Sequence, residues 1–151
     1  MNMKDERQFV GYSKYRSRLV DGHVHTELCP HGSGDRTAMM IEKAIELRIE
    51  KVCLTEHAPL PIAFAAEYGG DKKAYDTASL KLNEVDTYLE LGRQLQRAYG
   101  THIDISLGFE VDYIPGFESD IQEFLDRYGP LTDDNILSVH FMEGVNNAFY
   151  C

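Results

Sequence analysis

The chain has 151 residues, 43% of them hydrophobic and 26% charged, with a formal net charge of −10, which suits one domain with a single core. Fifteen Lys and Arg stand against 25 Asp and Glu, so the basic surface that a nucleic-acid backbone demands is missing and no nucleic-acid partner is expected. No apolar run reaches the roughly 20 residues of a membrane helix, Met1–Arg7 has no signal-peptide core, and three cysteines make no disulfide framework; the expected setting is the cytoplasm, with no membrane partner.

Residues 1–17 are polar and without periodicity, a lead-in to one domain spanning 1–151. The first strand is predicted at Arg18–Val24, and the stretch after it, through Asp35, holds three of the six histidines. His23 and His25 are two apart, so on a strand both imidazoles leave the same face. His31 follows in a loop with Pro30 and Gly32, where the backbone can fold back over that pair. The competing reading is three solvated or core histidines, but clustering of this kind marks metal chemistry. Cys29 beside them is either a soft ligand or loop packing, and Cys53 sits in an apolar run and reads as core.

Asp35 stands where a helix N-cap is expected, and Ala38, Met39, Ile41, Ala44, Ile45 and Leu47 give a helical apolar face over Arg36–Arg48. Lys51–Thr55 reads as a buried parallel strand that ends in Glu56-His57. A long loop through Gly69-Gly70 carries Phe64 and Tyr68, and loops of such length are more often functional than idle. Leu82, Val85, Leu89 and Leu95 are spaced for a helix over Ser79–Tyr99, with Gly100 as its stop. Ile103, Ile105, Leu107 and Phe109 alternate along a third strand that closes in Glu110-Val111-Asp112. Phe117–Tyr128 is a short helix stopped by Gly129-Pro130, and Asn135–Val139 is a fourth strand ending in His140.

The order β-α-β-α-β-α-β argues for a parallel sheet with right-handed crossovers. His23, His25, His57, Glu110 and His140 then fall at or just past the C-terminal ends of four strands, the face on which barrel enzymes build active sites. His102 precedes the third strand, at the opposite end, and carries no expected chemistry. Imidazoles with carboxylates are the ligand set of Zn²⁺, Mn²⁺ or Fe²⁺ hydrolytic sites, and ligand type selects none of the three. Glu110, with two oxygens, is the natural bridge between ions. Ions close together acidify a bound water and neutralise phosphate oxygens, which is the equipment of a phosphomonoesterase or another metal-dependent hydrolase. A Gly-rich phosphate loop and a nucleophile elbow are both missing, leaving metal-activated water as the expected nucleophile.

These motifs carry a resemblance. His23-Val-His25, His31, Thr55-Glu56-His57, Gly108-Phe109-Glu110 and Ser138-Val139-His140 are similar to successive motifs of the polymerase and histidinol phosphatase (PHP) superfamily. Asp-Gly-His-Val-His-Thr-Glu-Leu-Cys-Pro-His-Gly, Thr-Glu-His-Ala-Pro-Leu-Pro, Glu-Val-Asp-Tyr-Ile and Leu-Ser-Val-His-Phe resemble its histidinol-phosphatase branch, over Asp21–Phe141. The resemblance implies an α/β fold, a distorted (β/α)₇ TIM-like barrel of which four strands are present here. It also implies a trinuclear metal centre and removal of phosphate from a small-molecule monoester, L-histidinol phosphate, in histidine biosynthesis. Carried over by motif, His23 and His25 would hold one ion with Glu110, which would bridge to a second ion also held by His140, while His31 and His57 would hold the third; Glu110 and His140 would be the catalytic pair. Asp21 and Glu56 flank ligands, as orienting groups or as strand-end carboxylates facing water, and Asp112 is a further orienting candidate.

A closed barrel takes about 250 residues and the family pattern continues with a further His and an Asp-x-His, so the expectation is an N-terminal half, with weak or no activity alone and self-association through open sheet edges. Two alternatives stand beside it: a truncated, non-catalytic metal-binding fragment, and a PHP-type phosphoesterase with another substrate, such as nucleic-acid ends.

Overall fold

Two neighbouring strands with matched alternation set the architecture. In the computed structural model, which describes residues 18–144 and 148–150, Lys51–His57 (β2) runs parallel to Asp104–Asp112 (β3), pairing in unbroken register from Lys51 with Asp104 to His57 with Glu110. Val20–Val24 (β1) and Ile136–Ser138 (β4) flank them, giving a parallel sheet of order β1-β2-β3-β4. Alternation sends Val52 and Leu54 of β2, and Ile105, Leu107, Phe109 and Val111 of β3, to one face. There they form the main core with Ile41 and Ala44 of Thr37–Glu46 (α1), with Val85, Tyr88, Leu89 and Leu95 of Val85–Tyr99 (α3), and with Tyr128 of Glu118–Tyr128 (α4). Gly92 of α3 is where helix and sheet meet most closely, since a Cβ there would lie 2.3 Å from Leu107 Cδ1. Thr55, Gly108, Glu110 and Asp112 share the opposite parity and so the opposite face.

β1 carries an irregularity that matters for function. Asp21 pairs with Val52 but Val24 pairs with Leu54, so three residues on β1 span two on β2. This extra residue puts Val24 against the core and leaves His23 and His25, on either side of it, to face the other way.

Several ends differ from expectation. Helix α1 is not capped by Asp35, which instead accepts from Ser33 Oγ at 2.9 Å. Glu27 reaches over from the preceding loop and accepts from the Thr37 backbone N–H and hydroxyl, supplying the carboxylate a helix start requires. The helix ends at Glu46 because Arg48 takes φ +59°, with Ile49 N–H returning to Ala44 C=O at 2.9 Å, a terminus usually given to glycine. Helix α3 starts at Val85 rather than Ser79, after a 3₁₀ turn at Leu82–Glu84 in which Glu84 accepts from Lys81 N–H. The long loop contains a further helix, Lys72–Asp76 (α2), started by Asp71, which accepts from Ala74 N–H. Met142–Glu143 (β5) and Phe149–Tyr150 (β6) make an antiparallel pair that sequence periodicity is too short to reveal.

These late elements complete a second core, of Phe64, Ile114, Phe117, Phe141 and Phe149, with Tyr68 and Tyr75 packed on it. Backbone bonds from Gly69 N–H to Phe149 C=O and from Phe149 N–H to Glu67 C=O tie the long loop to β6. The aromatic cluster thereby becomes one wall of the region beyond the strand ends. Among the described residues no helix is long and apolar enough to cross a membrane.

Candidate metal centre

Glu110 lies near the end of β3, 2% exposed, and four imidazoles converge on its carboxylate. His23 Nε2 is 3.0 Å from Oε2, His57 Nδ1 3.2 Å and His25 Nε2 3.4 Å, while His140 Nε2 is 3.4 Å from Oε1. His23 and His25 face each other with their Nε2 atoms 3.1 Å apart. β1, β2, β3 and the turn after β4 thus each deliver a side chain to one point, the geometry that a parallel sheet imposes at its C-terminal end.

Hydrogen bonding alone does not satisfy this arrangement. His57 Nδ1 is buried and, despite its closeness to Glu110, makes no hydrogen bond. Two Nε2 atoms in contact cannot both carry protons without clashing. Lone pairs directed at one another around a buried carboxylate fit a divalent cation, and the donor set of imidazole nitrogens and carboxylate oxygens is of the kind Zn²⁺, Mn²⁺ and Fe²⁺ accept.

Two buried carboxylates hold the rings. Glu56, fully buried, accepts from Thr26 N–H at 2.9 Å, the Thr26 hydroxyl at 2.8 Å, His57 N–H at 3.1 Å and His25 Nδ1 at 3.1 Å. With its proton on Nδ1, His25 presents the Nε2 lone pair to the centre. Asp112 does the same for His140: its Oδ1 accepts from His140 Nδ1 at 2.9 Å, His140 N–H at 3.2 Å and the Ser138 hydroxyl at 3.1 Å. His31 is placed by a backbone carbonyl, its Nδ1 lying 2.7 Å from Thr77 C=O, and its ring stands 5.0 Å from that of His57.

The charge balance follows these contacts. Burial works to raise the Glu56 pKa, but the hydrogen bonds from His25 and Thr26 outweigh it and hold the carboxyl below its ordinary range. The Glu56 hydrogen bond raises His25 against the opposing effect of burial. Burial pushes His57 down, keeping it neutral and able to ligate.

Donor atoms gather within 4.8 Å in three sets: His23, His25 and Glu110; His57, Asp112 and His140; His25, Cys29 and Glu56. His57 is therefore grouped with His140 and Asp112, while its ring stacks on that of His25 and stands tilted to that of His31. Cys29 is buried, and burial raises its thiol pKa. Asp21 sits beside Val52 in the register, exposed, and makes no hydrogen bond to a histidine among the described residues. His102 is exposed, at the opposite end of β3.

Tyr88 is a structural residue that hydrophobic spacing understates. Its ring is fully buried and its hydroxyl lies 3.0 Å from Leu54 C=O, 2.6 Å from Gly108 C=O and 3.3 Å from Glu56 N–H, bracing β2 and β3 just behind the site. Its place three residues after Val85 was the available signal. Beside the histidines opens a cavity of about 280 Å³, whose lining includes Tyr68, Thr77, Asp112 and Phe141. Tyr68 lies in the loop singled out by its length and Phe141 closes the Leu-Ser-Val-His-Phe motif, whereas Thr77 carried no signal in the sequence.

Three likenesses bear on this geometry. Over 131 residues the chain is 39% identical to a histidinol-phosphatase of Bacillus subtilis, covering 87% of this chain and 47% of that protein. The crystal structure of a candidate histidinol phosphatase from Listeria monocytogenes matches with a TM-score of 0.83 and 43% identity, over 86% of this chain and 47% of that one. That of a histidinol phosphate phosphatase from Lactococcus lactis, complexed with zinc, L-histidinol and phosphate, matches with a TM-score of 0.63 and 26% identity, over 83% and 41%. The chain thus spans about half the length of the relatives it matches. The PHP domain model matches residues 21–150, from the strand that brings His23 and His25 to the hairpin after His140, and by that match the chain belongs to the PHP domain family.

Proposed function

We propose that this chain supplies the metal-binding residues of a phosphomonoesterase that hydrolyses L-histidinol phosphate to L-histidinol and phosphate, a reaction of histidine biosynthesis in the cytoplasm. The observation that carries the reading is the convergence of four imidazoles on the two oxygens of one buried carboxylate, Glu110. His23, His25 and Glu110 would hold one ion, Glu110 and His140 a second, and His31 and His57 a third. Divalent ions in such a donor set supply Lewis acidity, which acidifies water and offsets the charge of phosphate oxygens.

The chain's own residues do the rest. Glu110 keeps both oxygens available because, among the described residues, it is surrounded by imidazoles rather than by Lys or Arg. Glu56 and Asp112 hold Nδ1–H of His25 and His140, so that each Nε2 stays unprotonated. The names of the relatives support the substrate, as does the Lactococcus structure with L-histidinol and phosphate. A cavity of about 280 Å³ also suits a small alcohol better than the end of a nucleic acid. A non-catalytic metal-binding role is the second reading, favoured by the clustered donor sets, which can hold metal whether or not turnover follows.

Metal content and phosphate release, measured together, test the proposal. Replacing His23 and His25 by alanine should remove most bound metal and all chelator-sensitive release from L-histidinol phosphate, while His102→Ala should alter neither. Metal content unchanged in the double variant sinks the ligand assignment. Hydrolysis of nucleic-acid ends with L-histidinol phosphate untouched sinks the substrate, and metal binding with no turnover favours the second reading.

A further inference from the structure

The cavity beside the metal centre is walled on one side by His31, His57 and His140. Among the described residues, what remains of its lining has a definite chemistry: one carboxylate, Asp112; two aromatic rings, Tyr68 and Phe141, 5.8 Å apart and nearly perpendicular; the small side chains Ala74, Thr77 and Ala78; and no Lys or Arg. Asp112 is 6% exposed and spends only one oxygen on protein contacts. Its Oδ1 takes all three hydrogen bonds from Ser138 and His140, and Oδ2 accepts none among the described residues. That oxygen is not sealed from solvent, so a ligand entering the cavity can reach it, and an ammonium there replaces water with a charge-assisted hydrogen bond. Aromatic faces beside it add attraction for a cation.

We propose that Asp112 is a specificity-determining residue, whose unengaged oxygen takes the ammonium group of a phosphorylated amino alcohol while Tyr68 and Phe141 flank its organic part. This rests on the phosphoesterase reading above and adds to it the reason for choosing a cationic alcohol. Because a charge-assisted hydrogen bond is worth about 10- to 100-fold in affinity, an amino alcohol should be preferred by that factor over the same molecule without its amine.

Asp112→Asn separates this role from the positioning of His140. Three donors converge on Oδ1, so the asparagine oxygen must remain there and its NH₂ must replace Oδ2. His140 keeps its acceptor, while an ammonium would meet a neutral donor.

The experiment is calorimetric titration of the zinc-loaded 151-residue chain with L-histidinol, with its deaminated analogue imidazolepropanol, and with inorganic phosphate. The wild type should bind L-histidinol about tenfold or more tighter than the analogue. Titrated at saturating zinc, D112N should bind the two alike; the readout is the ratio between the two alcohols, which a loss of zinc or phosphate affinity passed on through His140 does not set. Equal affinity of the wild type for both alcohols overturns the inference, and needs no variant to fold. So does a preference that survives in D112N. Zinc and phosphate bound with neither alcohol overturns it and leaves the metal reading intact; a chain that binds no zinc overturns both.

Discussion

Glu56→Gln probes how the centre is held. The carboxylate is fully buried and accepts four hydrogen bonds, two on the Thr26 side and two on the histidine side. An amide has one acceptor oxygen, so its NH₂ must face one pair of donors. Toward Thr26 the hydroxyl can turn to accept, but the Thr26 backbone N–H is stranded. Toward the histidines the His25 ring can change tautomer, but the His57 backbone N–H is stranded. Either way a buried N–H loses its partner and the remaining bonds lose their charge, which costs about 2–4 kcal/mol, a large share of the roughly 5–15 kcal/mol that holds a domain together. The same change frees or reverses the His25 tautomer, so zinc affinity should fall about 10- to 100-fold. Urea unfolding of the metal-free chain and a zinc titration read the two effects. A variant that unfolds within about 0.5 kcal/mol of wild type and binds zinc equally would refute the reasoning.

Tyr88→Phe removes the hydroxyl that bridges Leu54, Gly108 and Glu56 and should cost about 1–3 kcal/mol in urea unfolding; Tyr99→Phe, whose hydroxyl meets Glu42 at the surface, should be neutral, and equal effects of the two would contradict the assignment. In the metal-free chain, NMR titration should find His25 above and His57 below the ordinary 6.5. By linkage, the stability His25 contributes is fully present below 6.5 and lost as pH rises through its raised pKa, whereas that of His57 is present above 6.5 and lost as pH falls through its lowered pKa; the reverse order of titration would undo the burial argument. Leu19 and Val20 at β1, and Leu137 and Val139 at β4, are exposed apolar groups on the two edges of the described sheet, so the 151-residue chain should self-associate in sedimentation experiments at micromolar concentration, and a strictly monomeric species would count against it.

Short apolar runs made the parallel strands legible, and in the third of them burial on a helix-covered face leaves the period-two pattern of Ile103 to Phe109. The positions of His23, His57, Glu110 and His140 at strand ends followed from the same reading. Less legible was whatever depends on contacts distant in sequence. Glu27 as the cap of α1 could not be seen, since ten residues separate it from Thr37. Nor could the one-residue irregularity in β1, which depends on its pairing with β2. Helix α2 and the β5–β6 pair are too short to show a period, and are held by an aromatic core drawn from three separate segments. Glu56 and Asp112 were recognisable as carboxylates beside histidines, but which histidine each one holds is a matter of packing.

X-ray absorption at the zinc edge, with elemental analysis, tests the metal centre on Glu110 most directly. The wild-type chain should hold more than one equivalent of zinc in a nitrogen- and oxygen-rich shell, with a metal–metal distance of about 3.5–4 Å, and Glu110→Gln should lose that distance along with most of the metal. A Glu110→Gln variant with unchanged zinc content and an unchanged spectrum would contradict the account.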